Sequence, residues 1–490
     1  MRNREQGLNK RKNNQVLRVK KYYIENKIEN MLGSTLIKFI DPVYYILRYI
    51  HFNIFFHNTK KDIKNEKIDI LFSSLLLNWR ERKDKFGKKY EDDIMIGDVM
   101  RKSKERFYVK GIDQEEVANK IFRPYKKTQR KYRKTDDWIC AEQFIDMSSI
   151  FKAFFLSINS SFRYRTDKNF DYYFSALSKS VKLRYLLDLI IAKKILSQVK
   201  PKVLFLTCEY SPLNRALAYM ARTEGIPTIA LQHGIITPVH PDYIFDDNNM
   251  KLVLPNITLV YGRYHYNLLT KNSVYEPKQV IVTGNPRYDV LYHADKIYSR
   301  EEFLKKYNIR PDSKIILWIT QCHDLSEEEN IKNFVAVFGT MQNLKDKILI
   351  IKQHPGEEEK HTKMIEANLK KYKIDVVITP KSSDTYEQLY VCDLMMTKNS
   401  TVAMEAVALN KPVIVLNLSG ERDVVDYVEQ GVALGVYREE DLRTAIEKLL
   451  KDESDLSKNR KRYIEKYLYK IDGKATERVA GVIKTMIDRF

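Results

Sequence analysis

From about residue 200 onward, short apolar runs recur at intervals that leave room for roughly one helix between each pair, and nothing else in the sequence constrains the fold as tightly. Val203–Thr207, Thr228–Leu231, Ile257–Val260 and Gln279–Val282 are nearly continuous apolar stretches, the pattern of strands buried on both faces. Helical spacing of apolar residues over Phe170–Gln198 leads into the first run. Asn214–Thr223 separates the first two and is closed by Gly225 and Pro227. A second series begins after Pro311. Strands are predicted at Lys314–Thr320, Lys347–Lys352, Asp375–Ile378, Leu394–Met396 and Pro412–Leu416. Helices are predicted at Glu327–Thr340, His361–Tyr372, Ser383–Val391, Thr401–Leu409, Asp423–Gln430 and Glu439–Asp452. Strand–helix alternation of this kind requires a parallel sheet covered on both faces. Two series imply two such sheets, joined through the charged stretch Tyr288–Ser313, and 490 residues are enough for two cores. The expected organisation is a basic, amphipathic region over 1–60, a first Rossmann-like domain over 61–295, a second over 310–455, and a C-terminal helix over 456–490 that packs back on the first domain.

In an open parallel sheet, ligands bind beyond the carboxyl ends of the strands. Polar clusters follow six of the predicted strands, three in each half: Cys208-Glu209-Tyr210, Gln232-His233-Gly234, Thr283-Gly284-Asn285-Pro286-Arg287, Thr320-Gln321-Cys322-His323, Lys352-Gln353-His354-Pro355-Gly356 and Thr397-Lys398-Asn399-Ser400-Thr401. With the two sheets facing each other, all six would line one cleft. Ser400 or Thr401 would cap the following helix, whose free N–H groups suit a phosphate. Glu405, one turn in, could accept both hydroxyls of a ribose. Its ordinary alternative is a solvent-facing glutamate. His354, fixed by Pro355, could bind or neutralise a phosphate with help from Lys352, or simply bond its own loop. Glu209 and His233 are the candidate bases. Burial would raise the pKa of Glu209, Gly234 would let a ligand approach the backbone, and the alternatives are an ion pair with Arg215 or Arg222 and a satisfied turn histidine. Gly284 and Asn285 form a turn that presents Arg287 to a phosphate, an acidic sugar or an ion-pair partner. Asn399 joins Ser400 and Thr401 in the expected nucleotide- and phosphate-binding set, and Thr320 and Gln321 complete the expected lining with Gly234, Gly284, Asn285 and Arg287.

Composition excludes several classes. Four separated cysteines, Cys140, Cys208, Cys322 and Cys392, form no C-x-x-C pair, so neither a disulfide framework nor a structural zinc is expected. No H-E-x-x-H occurs among the nine histidines. Mean hydropathy is −0.45. The first thirty residues carry no apolar core of a signal peptide, and Lys38, Asp41 and Pro42 interrupt the apolar stretch Met31–Phe56 before it could span a bilayer. That stretch either packs on the protein or lies on a membrane surface. The expected location is cytoplasmic, with peripheral contact to the inner face of the membrane. The net charge of +21 calls for an anionic partner. It is concentrated early: thirteen Lys or Arg against four Asp or Glu over 101–135, and nine against three over 1–30. A solvated surface would show the same excess.

Gly225–Gly234 (GIPTIALQHG) and Val282–Asp289 (VTGNPRYD) resemble the acceptor-side half of GT-B glycosyltransferases that build bacterial and archaeal surface polysaccharides. Lys352–Pro355 (KQHP) and Asn399–Ile414 resemble their donor half. The same features occur in capsule transferases, polyglycerophosphate transferases and UDP-N-acetylglucosamine 2-epimerases. The resemblance implies a GT-B fold, α/β, with two Rossmann-like domains whose parallel sheets face an interdomain cleft, plus the basic N-terminal extension. It also implies an enzyme that moves a sugar from a nucleotide-sugar to a saccharide or lipid-linked acceptor, without metal or other cofactor. In GT-B sialyltransferases a His-Pro pair and a Ser/Thr pair bind the phosphate of CMP, and His354-Pro355 and Ser400-Thr401 look similar. CMP-, UDP- and GDP-linked donors all remain open. The Asp/Glu-x-Gly base motif of that group is not evident here, and Glu209 is only its positional substitute. A 2-epimerase and a CDP-polyol phosphotransferase are the alternatives. Nucleic-acid binding by the patch Arg101–Lys134 ranks last, for want of any recognised module around it.

Overall fold

The computed structural model describes residue 46 and residues 66–75, 78–83, 89–114, 137–163, 179–451 and 454–489. The interrupted apolar stretch before Phe56, apart from Ile46, and the lysine- and arginine-rich residues 115–136 lie outside them. Among the described residues, no helix is long and apolar enough to cross a membrane. Four of the five cations in the described part of the basic patch pair with acids: Arg101 with Asp92 and Asp98, Lys102 with Glu105, Lys104 with Asp137 and Lys110 with Glu66.

Two parallel sheets account for most of the chain. The first contains β1 (Ile70–Leu75), β4 (Val109–Gln114), β5 (Trp138–Cys140), β6 (Val203–Thr207), β7 (Thr228–Leu231), β8 (Ile257–Val260) and β9 (Val280–Val282), in the order β5-β4-β1-β6-β7-β8-β9. The second contains β10 (Lys314–Ile319), β11 (Lys347–Lys352), β12 (Val376–Thr379), β13 (Leu394–Thr397), β14 (Val413–Leu416) and β15 (Leu434–Val436), in the order β12-β11-β10-β13-β14-β15. Every neighbouring pair in both sheets is parallel. In each sheet the chain first adds strands to one side and then reverses to the other. The reversal falls between β1 and β6 in the first sheet and between β10 and β13 in the second, and such switch points open a crevice at the strand ends.

The strands form where they do because their side chains are apolar on both faces. β6, β7, β10 and β13 are buried almost throughout, and helices cover each face with separate clusters of Leu, Ile, Val and Phe. A polar hairpin, β2 (Trp79–Lys83) with β3 (Lys89–Asp93), follows β1 and is the one antiparallel element among the described residues. Trp79 anchors it edge-on to Trp138 at 5.0 Å. Asp93, which pairs with Trp79 across the ladder, anchors the same end, accepting from Ser74 Oγ and from the amides of Met95 and Ile96.

Two expectations are corrected. Asp423–Gln430 is a run of turns, not a helix, because Asn417 Nδ2 donates to Asp423 (2.8 Å) and to the Glu421 carbonyl (2.9 Å), folding the chain back at its start. The single C-terminal helix is broken into Ser454–Tyr463, a π-helical turn Ile464–Leu468, and Ala475–Arg489. Tyr469 and Gly473 take positive φ at the break. The last of these helices does return to the first sheet: Val479 and Ile483 join the core of Ile70, Phe72, Val203 and Phe205. Asp289 fixes its start by accepting from the amides of Ala475 (2.9 Å) and Thr476 (2.8 Å), a carboxylate at the positive end of a helix.

Candidate functional site

Glu209 follows β6 at the first switch point. Cys208, with φ of 55°, turns the chain there and sends the Glu209 side chain inward, where the residue is 4% exposed. Among the described residues neither carboxylate oxygen has a well-formed hydrogen bond. Burial pushes the carboxyl up to about 7, offset in part by the Tyr243 hydroxyl and the charge of Arg215. This is the behaviour of a desolvated carboxylate. The floor around it is a polar lattice: Ser73 Oγ and Gln114 Nε2 donate to Asn214 Oδ1, and Asn214 Nδ2 donates to the Thr207 carbonyl at 2.6 Å.

His233, after β7, lies 3.3 Å by Nδ1 from the Tyr210 hydroxyl. Burial, and then the charge of Arg287, lower its pKa to about 4, so the ring is neutral across the physiological range. Gln232 donates to the Gly234 carbonyl at 2.6 Å and accepts from the Tyr261 amide at 2.9 Å, which fixes the turn. The space a Cβ on Gly234 would occupy is open, as it would be where something approaches the backbone.

Arg287 bridges the two halves. Its Nε donates to the Tyr386 hydroxyl at 2.5 Å and its guanidinium pairs with Glu405 Oε1 at 3.0 Å. Burial opposes the charge on Arg287, but Tyr386 and Glu405 outweigh it. Glu405 is only 2% exposed. Burial raises its pKa against the pull of Arg287, and its Oε2 has no hydrogen-bond partner among the described residues. Glu405 is thus not solvent-facing, and its Oε1 is held across the gap by Arg287. The buried Tyr261 hydroxyl feels the charges of Arg287, Glu209 and Glu405 together, which brings the three into one neighbourhood.

Gly284 and Asn285 form a turn ahead of Arg287. Gly284 has φ of 79°, and a Cβ there would meet Arg478, Ala475 and the Leu468 carbonyl, so the position is covered by the returning C-terminal segment. Asn285 Oδ1 accepts from the Arg287 amide at 3.1 Å. Both shape the turn that aims Arg287.

On the second sheet, Gln321 sits at the switch point. Its Oε1 accepts from the Asn399 amide (3.0 Å) and from Thr397 Oγ1 (3.2 Å), tying the β10 and β13 loops together. Thr320 is buried, with its hydroxyl 3.5 Å from the Lys352 carbonyl. Ser400 Oγ accepts from the Val402 amide at 3.2 Å, while Thr401 makes no side-chain cap and is exposed. Asn399 Oδ1 is buried without a partner among the described residues. His354 Nδ1 accepts from the Gly356 amide at 3.0 Å, which puts the ring proton on Nε2, the nitrogen suited to donate to an anion. Burial and the neighbouring His323, stacked on it at 4.4 Å, hold His354 largely neutral. Lys352 is not extended towards a ligand: Nζ donates to the Lys381 carbonyl (2.6 Å) and the Pro380 carbonyl (3.3 Å), and burial lowers its pKa to about 8.

Arg80, on the β2–β3 hairpin, escaped the sequence reading. Its one hydrogen bond is to the Trp79 carbonyl at 2.7 Å, and no ion pair is formed among the described residues. Burial, and then the charge of Arg287, weaken its hold on the proton, with Asp93 opposing. Its charge also acts on Lys352 and His354. Arg80, Arg287 and the neighbouring Lys352 and His354, from three separate segments, therefore share one neighbourhood, in which Glu405 pairs with Arg287 and Asp93 and Asp384 act on Arg80 and Lys352. Cations gathered in this way favour an anionic ligand between them. No sequence signal marks Arg80, because the hairpin that carries it has no apolar run.

Several known structures share this fold. The sequence model of UDP-N-acetylglucosamine 2-epimerase matches residues 253–484, a little under half of the chain. No curated protein sequence matches. The UDP-GlcNAc 2-epimerase from Neisseria meningitidis bound to UDP-GlcNAc superposes with a TM-score of 0.55 at 14% identity, over 85% of this chain and 100% of that one. The Methanocaldococcus jannaschii UDP-GlcNAc 2-epimerase in complex with UDP-GlcNAc and UDP gives 0.52 at 17%, over 85% and 99%. The wall teichoic acid polymerase TagF gives 0.50 at 14%, over 92% and 98%. At such identities the likeness is one of fold, and the fold is GT-B: two Rossmann-like parallel sheets with their switch points turned to a common gap.

Proposed function

We propose that the protein is an enzyme acting on a nucleoside-diphosphate-linked sugar, with chemistry of the UDP-N-acetylglucosamine 2-epimerase kind. The observation that carries this reading is a buried carboxylate without a well-formed hydrogen bond among the described residues, Glu209, near a cation-lined gap. Inverting a sugar carbon requires removing a proton from carbon. That proton comes off when the electron pair left on C2 expels a group from C1, forming a C1–C2 double bond. A nucleoside diphosphate is such a leaving group. Glu209 takes the C2 proton, and Arg80, Arg287 and His354 Nε2–H receive the charge that develops on the departing diphosphate. Re-addition of the diphosphate to C1, with a proton delivered to the other face of C2, completes the change. In this reading His233 relays that proton, which its neutral ring and its contact with Tyr210 support. The N-terminus of the helix Val402–Ala408, with Ser400 and Asn399, supplies amides to the phosphates.

Transfer to an acceptor is the second reading. It is favoured by the larger share of this chain, 92% against 85%, that the teichoic acid polymerase superposes. Transfer uses the same grip on the diphosphate, with the base acting on an acceptor hydroxyl, of a saccharide, a lipid-linked sugar or a polyol phosphate polymer. Incubation with UDP-GlcNAc alone in D2O, followed by proton NMR, separates the two. Deuterium at C2 and a new epimer without acceptor support the epimerase reading. No exchange, with turnover only after an acceptor is added, sinks it in favour of transfer.

A further inference from the structure

Away from the gap, the segment that returns from the second half to the first makes a concave site of its own. The helix Arg263–Asn272 follows β8 of the first sheet, and the π-helical turn Ile464–Leu468 belongs to the returning segment. They meet so closely that a Cβ on Gly262 would lie 2.4 Å from the Tyr467 carbonyl carbon. Beside this contact is a cavity of about 500 Å³. Arg263 and Lys271 line it from the helix, Arg462 and Lys466 from the returning segment, and Tyr264 forms part of its wall, with Glu465 as the sole acid in the lining.

None of the four cations forms an ion pair with a described residue. Arg263 lies over the Tyr266 ring at 5.3 Å, and Lys466 lies over Tyr264 and Tyr467 at 5.5 and 4.8 Å while donating to Gln430. Aromatic faces hold cations without neutralising them. The two Tyr–Lys contacts and the Gln430 hydrogen bond restrict the directions open to Lys466 beside the cavity. Four like charges converging on one concavity repel one another, and a bound polyanion reverses the sign of that interaction.

We propose that this cavity binds a multiply charged phosphate group, and that its occupant ties the helix Arg263–Asn272 of the first half to the returning segment of the second. The site is separate from the gap and does not depend on the reading given to it. A π-turn at a functional contact is in keeping with this use. The same phosphate chemistry is offered by a soluble polyphosphate and by the headgroups of an anionic lipid surface, and the experiment separates them.

Tripolyphosphate is titrated calorimetrically into the full-length protein and into Lys271→Glu/Arg462→Glu, with His354→Ala as the control that alters the gap alone. The same three proteins are co-sedimented with phosphatidylcholine vesicles with and without phosphatidylglycerol. All of the altered cavity residues are exposed, and circular dichroism confirms the fold. Reversing two of four charges is expected to weaken occupancy by roughly tenfold or more at low salt, while His354→Ala leaves this site unchanged. Loss confined to tripolyphosphate identifies a soluble ligand, and loss confined to the anionic vesicles identifies a lipid surface. Equal binding by the charge-reversed and unaltered proteins in both assays, or no binding by the unaltered protein in either, overturns the proposal.

Discussion

The two strand-end regions that face the gap are built on opposite principles. On the first sheet, reactive side chains are stripped of water: Glu209 is left without a well-formed hydrogen bond among the described residues and His233 is driven neutral. On the second sheet, polar side chains are spent on fixing loops. Gln321 ties two strand ends, Ser400 takes a helix amide, His354 takes the Gly356 amide and Lys352 takes two carbonyls. A group that must move a proton gains from being under-solvated. A group that must hold a phosphate gains from being rigid, because the ligand then does not bear the cost of ordering it. The contrast assigns chemistry to the first sheet and grip to the second, and it can be broken in four places.

The largest effect is expected at Glu209. Glu209→Gln should lower turnover by about 10²–10⁴-fold, the usual contribution of a general base, with little change in the affinity for UDP by calorimetry. The pH dependence has a definite sign. The folded carboxyl titrates near 7, above its ordinary 4.5. Its contribution to stability is therefore complete below about pH 4.5 and fades as pH rises through 7. Urea unfolding of Glu209→Gln should show that slope flattened, while the wild-type rate climbs through the same interval as the base ionises. A rate that falls over that interval would contradict the assignment.

Next comes the bridge between the regions. Arg287→Met leaves Glu405 buried without its counter-ion and should cost about 2–3 kcal/mol of stability, read by chemical denaturation. Adding Glu405→Gln should restore much of it, since the charge is then gone. No recovery in the double variant would mean that Arg287 acts through its contact with Tyr386 instead. The grip is tested by His354→Ala and Arg80→Ala. Each should raise the dissociation constant for UDP by about tenfold, near 1.4 kcal/mol, and the Arg80 effect should shrink with added salt. The smallest effect belongs to Ser400→Ala, where loss of the cap should cost about 1 kcal/mol of stability, without moving the pH profile. A shift of that profile would erase the division of labour between the sheets.

Much of the fold was legible because buried parallel strands have to be apolar on both faces. Val203–Thr207, Thr228–Leu231 and Lys347–Lys352 announce themselves, and the polar residues at their ends follow from the strand boundaries. The Ser400 cap was legible for the same reason. What was not legible depends on contacts between distant segments. The β2–β3 hairpin reads as WRERK and KYEDD, two charged runs, and only its pairing of Arg80 with Asp92 across the ladder and its anchorage on Trp138 place Arg80 near Arg287. Trp138-Ile139-Cys140 is too short to stand out as a strand. Asp423–Gln430 has spacing that suits a helix, but Asn417 captures its first residues. The break in the C-terminal helix did have a local mark, Asp472-Gly473, where Gly473 takes φ of 68°. Gly284 and Asn285 were found as a turn, but that the turn lies beneath the returning helix could be learned only from the packing of Arg478 and Ala475.

Because the chain returns to its first sheet at Val479 and Ile483, the two halves are joined twice, once through 283–313 and once through 464–475. A body tethered at a single point can swivel in any direction. One tethered at two is left with motion about the line between them, like a door on its pair of pins, so widening the mouth for a sugar to enter has to follow a single arc. Gly262, pressed against the backbone at Tyr467, sits beside one of those pins. Any side chain larger than hydrogen there would push the pin aside and alter the arc without touching a reacting atom.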